Sequence, residues 1–134
     1  MAVRPHVSMS KKVIRTEQAP APIGPYSQAI AAQGFLFVSG QIALNPRTGE
    51  LVGGTIPEET HQVMKNLEQI LQKAGSSFEK VVKCTIFVKD MNHFSTVNEV
   101  YGQYFQQQPP ARETVEVSRL PKDVNVEISC IAMM

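Results

Sequence analysis

The chain has 134 residues and a formal net charge of +1, from 13 basic and 12 acidic side chains. That length predicts one domain able to bury a hydrophobic core without metals or disulfides, and the near-neutral balance, with no run of like charges, argues against a dedicated nucleic-acid binder. No apolar stretch approaches the ~20 residues of a membrane span, and the histidines (His6, His61, His93) and cysteines (Cys84, Cys130) show no zinc-ligand spacing.

Residues 1–8 lack the apolar segment of a secretory signal. Met9-Ser10-Lys11-Lys12 reads as a natural start, so residues 1–11 are taken as a leader or flexible extension and 12–134 as the folded domain. Lys12 to Thr16 reads as a short strand, followed by a Pro/Gly-rich loop from Ala19 to Pro25 that cannot enter the middle of a ladder. Ala29 to Ala32 and Phe35 to Gln41 read as a hairpin turning at Gln33-Gly34, and Asn45 to Gly49 as a further turn. A helix is predicted next, capped by Thr55, with Pro57 in its first turn and Glu58 and Glu59 at its positive end. Val63, Leu67, Ile70, Leu71 and Ala74 form its apolar stripe, and Gly75 ends it. Val81 to Val88 is an apolar, β-branched strand. Asp90 or Asn92 is expected to cap a second helix running through Phe105, with Phe94, Val97, Tyr101, Tyr104 and Phe105 as its core-facing stripe. Strands over Ala111–Val117 and Val124–Ala132 complete a β-β-β-α-β-α-β-β order. That order predicts an α+β fold in which two helices cover one face of a six-stranded mixed sheet. The other face must meet a partner or stay solvated. Cys84 and Cys130 lie in apolar strands and are read as buried, reduced thiols.

The chemistry concentrates near the C-terminus. Pro110-Ala111-Arg112-Glu113-Thr114 leads through a Leu120-Pro121-Lys122-Asp123 turn to Glu127 on the last strand. Two strands joined by a tight turn would bring Arg112 and Glu127 together. A guanidinium holds a small carboxylate through paired N–H···O bonds, and a nearby carboxylate orients or deprotonates water. The same two residues also read as an ordinary ion pair on a solvated sheet face. Alternation places Arg112 and Thr114 on one face of their strand, Glu113 and Val115 on the other.

With Gly24-Pro25-Tyr26-Ser27-Gln28-Ala29 and Phe37-Val38-Ser39-Gly40-Gln41, these segments resemble the reactive-intermediate deaminase family (Rid, YjgF-type) in motif and in order, from about Lys12 to Ala132. The resemblance implies a chorismate-mutase-like fold and a homotrimer with sites in the clefts between subunits. It implies hydrolysis of enamines and imines such as 2-aminoacrylate/2-iminopropanoate and 2-iminobutanoate to 2-keto acids and ammonia, with no cofactor. Arg112 then clamps the substrate carboxylate, and Glu127 and the Thr114 carbonyl hold water. Tyr26 lies over the site, Ser39 and Gly40 bind substrate, and Asn98 plays a structural part. Ser39 has no Ser-His-Asp context and is not read as a nucleophile. Two residues depart from the family pattern: Thr114 stands where many members carry cysteine, and Pro110 where phenylalanine is usual. A non-catalytic small-carboxylate-binding or chaperone-like trimer is the first alternative, and an endoribonuclease or translation inhibitor, from other activities attributed to the family, the second. Cytoplasm is the default compartment, with a mitochondrial or plastid home if a leader has been removed.

Overall fold

The computed structural model describes residues 10–134, so residues 1–9 of the segment taken as a leader or extension lie outside the described residues. The elements in chain order are β1 (Lys12–Ile14), β2 (Ala29–Ala32), β3 (Phe35–Gln41), α1 (Ile56–Lys73), β4 (Val81–Val88), α2 (Phe94–Tyr104), β5 (Ala111–Glu116) and β6 (Val126–Met133). The α+β architecture expected from the pattern is the one observed: a six-stranded mixed sheet in the order β1-β2-β3-β6-β4-β5, with helices packed on one side. Boundaries differ modestly. The first strand stops at Ile14 rather than Thr16, and the last begins at Val126.

Local sequence accounts for most of the elements. Gln33 and Gly34 both have positive φ (53° and 83°), the twist a two-residue hairpin loop requires between β2 and β3. Thr55 Oγ1 accepts from the Glu58 amide at 3.2 Å and caps α1. At the other end Gly75, at φ 81°, turns the chain so that its own N–H reaches Gln72 and the Ser76 N–H reaches Leu71. Asp90 caps as expected, but it caps a single 3-10 turn, Met91–His93, and α2 starts only at Phe94.

The two crossovers decide the topology. β3-α1-β4 and β4-α2-β5 both return in parallel, and β6 enters antiparallel between β3 and β4. Leu36, Ile86, Ile128 and Ala132 on the sheet meet Val63, Met64, Leu67, Ile70 and Leu71 of α1 in the main core. Cys84 and Cys130 face each other across β4 and β6 in that core, both free, with burial pushing both thiols above their ordinary range.

The opposite face is open. Val13, Ile30, Phe37 and Ile131 form one continuous row across four strands of it, and Val13 and Phe37 remain about half exposed, at 56% and 47%. A second, smaller apolar cluster of Ile42, Leu44, Leu120 and Val124 closes one end of this side. No helix among the described residues is long and apolar enough to cross a membrane.

Candidate active site

A pocket opens between the Pro-rich loop and the C-terminal end of β3, and buried polar side chains build its walls. Gln28, only 2% exposed, donates Nε2 to the carbonyls of Thr16, Ala19 and Pro20 and accepts from the Thr16 amide at 2.7 Å. These bonds satisfy a loop whose prolines cannot join a ladder. Tyr26 stands at the rim, its phenol oxygen accepting from the Ile23 amide at 3.3 Å. Ser39 donates Oγ to the Ser27 carbonyl at 2.6 Å, so the hydroxyl proton is engaged and the oxygen's lone pairs are left to accept. On the far wall, buried Asn66 of α1 donates to the carbonyls of Ile42 and Leu44 at 3.1 and 3.0 Å.

The floor is Glu127 lying across Gly40. The β3–β6 register shifts between Val38 and Gln41, which bends the strand where Gly40 sits. A Cβ placed on Gly40 would stand 2.9 Å from Glu127 Cδ and 3.0 Å from Cγ, so only glycine lets the side chain cross the strand so closely. Glu127 is half-buried, and desolvation raises its carboxyl above the ordinary 4.5. Its strand is anchored by Glu59 of α1, 7% exposed, whose carboxylate accepts from the Asn125 amide and side chain at 2.8 Å each and from the Val126 amide at 3.1 Å.

Arg112 lies elsewhere. It projects from β5, the edge strand, on the helix side of the sheet, in register with Cys84. Its guanidinium sits 5.5 Å from the Phe94 ring centroid and 5.2 Å from that of Tyr101, and donates Nη1 to Asn98 Oδ1. Two rings and an amide therefore fix the fork while the side chain stays exposed. The Tyr101 hydroxyl lies beside the Cys84 thiol, and burial pushes it well above the ordinary tyrosine range. Thr114 follows on the same face, opposite Ile86, its hydroxyl buried without a partner among the described residues.

The expected meeting of Arg112 and Glu127 within one chain does not occur. β4 separates their strands, and Glu127 pairs with Phe87 on the open face while Arg112 pairs with Cys84 on the covered one. The Leu-Pro-Lys-Asp segment joins two strands that are not neighbours, through a 3-10 turn with Lys122 and Asp123 at positive φ (54° and 56°). The sequence reading groups Tyr26, Ser39, Gly40 and Glu127, which line one pocket, with Arg112 and Thr114, which do not line it, and takes Asn98 as structural, where its side chain accepts from Arg112. It misses Glu59 and Asn66. Their signal is present as two polar residues on the Val63–Ile70 face of α1, where only apolar ones are expected.

A mixed six-stranded sheet with two helices on one face is a chorismate-mutase-like α+β fold. The family model described as Endoribonuclease L-PSP matches residues 16–134. A RutC family protein of Synechocystis is 57% identical over 128 residues, 94% of this chain and 98% of that protein. The mouse 2-iminobutanoate/2-iminopropanoate deaminase is 49% identical over 126 residues, 94% of this chain and 93% of that protein. The crystal structure of E. coli TdcF with bound serine superposes with a TM-score of 0.88 at 41% identity, covering 92% of this chain and 98% of that one. The chain belongs to the reactive-intermediate deaminase (Rid, YjgF-type) family.

Proposed function

We propose that this chain hydrolyses 2-imino acids and their enamine tautomers, such as 2-iminopropanoate and 2-iminobutanoate, to 2-keto acids and ammonia. The observation that carries the reading is Glu127, a carboxylate desolvated enough to raise its pKa and fixed over Gly40 on the floor of a pocket. A carboxyl with a raised pKa is a better base toward water at the moment of attack. The name of the mouse deaminase and the bound serine of the E. coli structure support the substrate class, a small α-amino or α-imino acid.

In the proposed reaction, Arg112 holds the substrate carboxylate in its fork. Glu127 takes a proton from water as the oxygen adds to the carbon of the protonated imine, and gives it to the nitrogen of the resulting carbinolamine. The C–N bond then breaks as the carbinolamine hydroxyl passes its own proton to Glu127, which releases the 2-keto acid and ammonia, and Glu127 gives that proton up to solvent. The Thr114 backbone carbonyl orients the water, a role that its side chain does not affect. Ser39 accepts from the substrate nitrogen, and Tyr26 covers the pocket. Because such imines hydrolyse unaided, positioning supplies the acceleration needed, and neither metal nor organic cofactor enters.

Arg112 and Glu127 face opposite sides of the sheet, so one substrate can touch both only if a second copy supplies one of them. We therefore place the site between subunits of a homotrimer, with the β5 edge of one copy facing the Glu127 pocket of the next. The half-exposed apolar row on the open face gives the copies a surface to bury. The endoribonuclease reading rests on names, the family model's description and those given to two solved relatives, and the residues lining the Glu127 pocket include no histidine to act on a phosphodiester.

The test is ammonia release from imino acids generated in situ by an amino-acid oxidase, with semicarbazide trapping the remainder. Wild type should lower the trapped product, and Arg112→Ala and Glu127→Gln should each restore it. Trimers reassembled from a mixture of the two variants should regain activity, because some clefts then combine an intact Arg112 with an intact Glu127. Full activity in Arg112→Ala refutes the clamp, and a mixture as inactive as its parts refutes the shared site. Wild-type protein that binds 2-keto acids without turning imines over would be the non-catalytic trimer.

A further inference from the structure

Resting on the hydrolase reading above, we infer that Phe87 is a positioning residue for that reaction: its ring is the wall that turns the Glu127 side chain across Gly40. Glu127 lies on β6, between β3 and β4. Its direct partner on β4 is Phe87, so the two side chains leave the same face of the sheet. Residues directly opposite in an antiparallel pair have Cβ atoms about 4.5–5.5 Å apart. A carboxylate leaning toward β4 would therefore run into the ring. On the β3 side Gly40 carries no side chain, and that is where the carboxylate lies: a Cβ on Gly40 would stand 2.9 Å from Glu127 Cδ. Glycine opens one direction and phenylalanine closes the other.

The ring is itself held in place. Phe87 is partly buried and packs against the small cluster of Ile42, Leu44, Leu120 and Val124. Those residues come from the chain after β3 and from the link between β5 and β6, so two connections meet on one side chain. The cluster backs the ring, and the ring backs the carboxylate. An aromatic neighbour also keeps water from one side of Glu127, in line with the burial that raises its carboxyl above 4.5. The charged groups along this face are paired with each other, Lys83 with Glu113 at 3.4 Å and Lys89 with Asp123 at 2.8 Å. Tyr26 is the other titratable group lining the pocket, and Glu59 of α1 is engaged by the Asn125 and Val126 amides. None of these contributes to the raised pKa of Glu127, whose cause is desolvation. Arg112 of the neighbouring copy, in the trimer proposed above, is common to every variant compared below.

The experiment compares Phe87→Ala and Phe87→Val, which shorten the wall, with Phe87→Leu, which keeps most of its apolar bulk. Valine is a good strand former, so Phe87→Val carries the test if Phe87→Ala does not fold. In imine hydrolysis, kcat should fall about 10-fold or more in the shortened variants, on the scale of a ~1 Å misplacement of a catalytic group. KM should change little, because Arg112 and not Phe87 meets the substrate carboxylate, and Phe87→Leu should recover most of the loss. Independently of turnover, NMR on protein labelled in its glutamate carboxyls follows the Glu127 titration, assigned by its absence in Glu127→Gln. That titration should move down toward 4.5 in the shortened variants, and the acid limb of kcat/KM should move with it. A ring that only fills space would change the melting temperature and leave the titration where it is. Gly40→Ala should also cost several-fold less in a Phe87→Val background than in wild type, since the carboxylate has already left Gly40. An unmoved Glu127 titration in Phe87→Val, or fully multiplicative losses in the double variant, overturns the role of Phe87 and leaves the hydrolase reading standing. No turnover of any imine by wild type overturns the hydrolase reading, and the NMR titration still decides for or against Phe87.

Discussion

Gly40→Ala should damage catalysis far more than folding. The added Cβ would lie 2.9 Å from Glu127 Cδ, 3.0 Å from Cγ and 3.1 Å from Oε2. Non-bonded carbons rest at roughly 3.5–4.0 Å, so the carboxylate must retreat by about 0.5–1 Å. Gly40 is not among the positive-φ glycines, so alanine meets no backbone penalty there. The crowded atoms belong to the end of a movable side chain, which keeps the overpacking cost near the low end, about 1 kcal/mol, or a few degrees in Tm. A misplacement of ~1 Å in a catalytic group, by contrast, costs on the order of 100-fold in rate. Imine hydrolysis and thermal melting measured on the same preparation should therefore separate: kcat/KM down by about 10- to 100-fold, Tm down by only a few degrees. In a Glu127→Gln background the alanine should add little further loss, because both changes act on one group. Unchanged activity in Gly40→Ala, or a full additional loss in the double variant, would refute the argument that this glycine exists to admit Glu127.

Other consequences follow from the same geometry. Arg112→Lys keeps the charge but loses the planar fork and its seat between Phe94 and Tyr101, so kcat/KM should fall by about 10- to 100-fold, the worth of a charge-assisted hydrogen bond; Asn98→Ala should show a smaller loss in the same direction, and steady-state kinetics with wild-type activity in both would count against the clamp. Glu127 binds its proton more tightly folded than unfolded, because burial raises its pKa. Its effect on stability is therefore adverse, growing as pH rises from the unfolded value through the folded one and complete above it. Glu127→Gln should melt above wild type near neutral pH, with the gap closing in acid, and the acid limb of wild-type kcat/KM should have its midpoint above 4.5; a pH-independent gap in melting scans would contradict this. Glu59→Ala strands the amides of Asn125 and Val126 in a buried site and should cost roughly 3 kcal/mol in denaturant unfolding, whereas a loss under about 0.5 kcal/mol would assign the anchor no weight.

The sequence by itself determines the local elements and the residue chemistry. Thr55, Pro57 and Gly75 delimit α1 because caps and turn residues act within a few positions of themselves. The alternation along β6 fixes Glu127 opposite to Val126 and Ile128, because the two-residue period of a strand is a local property. The Tyr26, Ser39, Gly40 and Glu127 set is legible through the motifs that carry it. Strand order is different, because it follows from pairings between distant segments. A short link between β5 and β6 reads as a hairpin, yet the parallel return through α2 places β5 beyond β4 and leaves β6 to fill the centre. That one topological fact puts Arg112 and Glu127 on different strands and faces. Nor does sequence spacing show that Glu59 and Asn66, on a helix, hold strand and loop backbone more than 20 residues away. Only packing α1 onto the sheet brings those carboxylate and amide groups to that backbone, and only the tertiary structure decides that the glycine of β3 lies under the glutamate of β6.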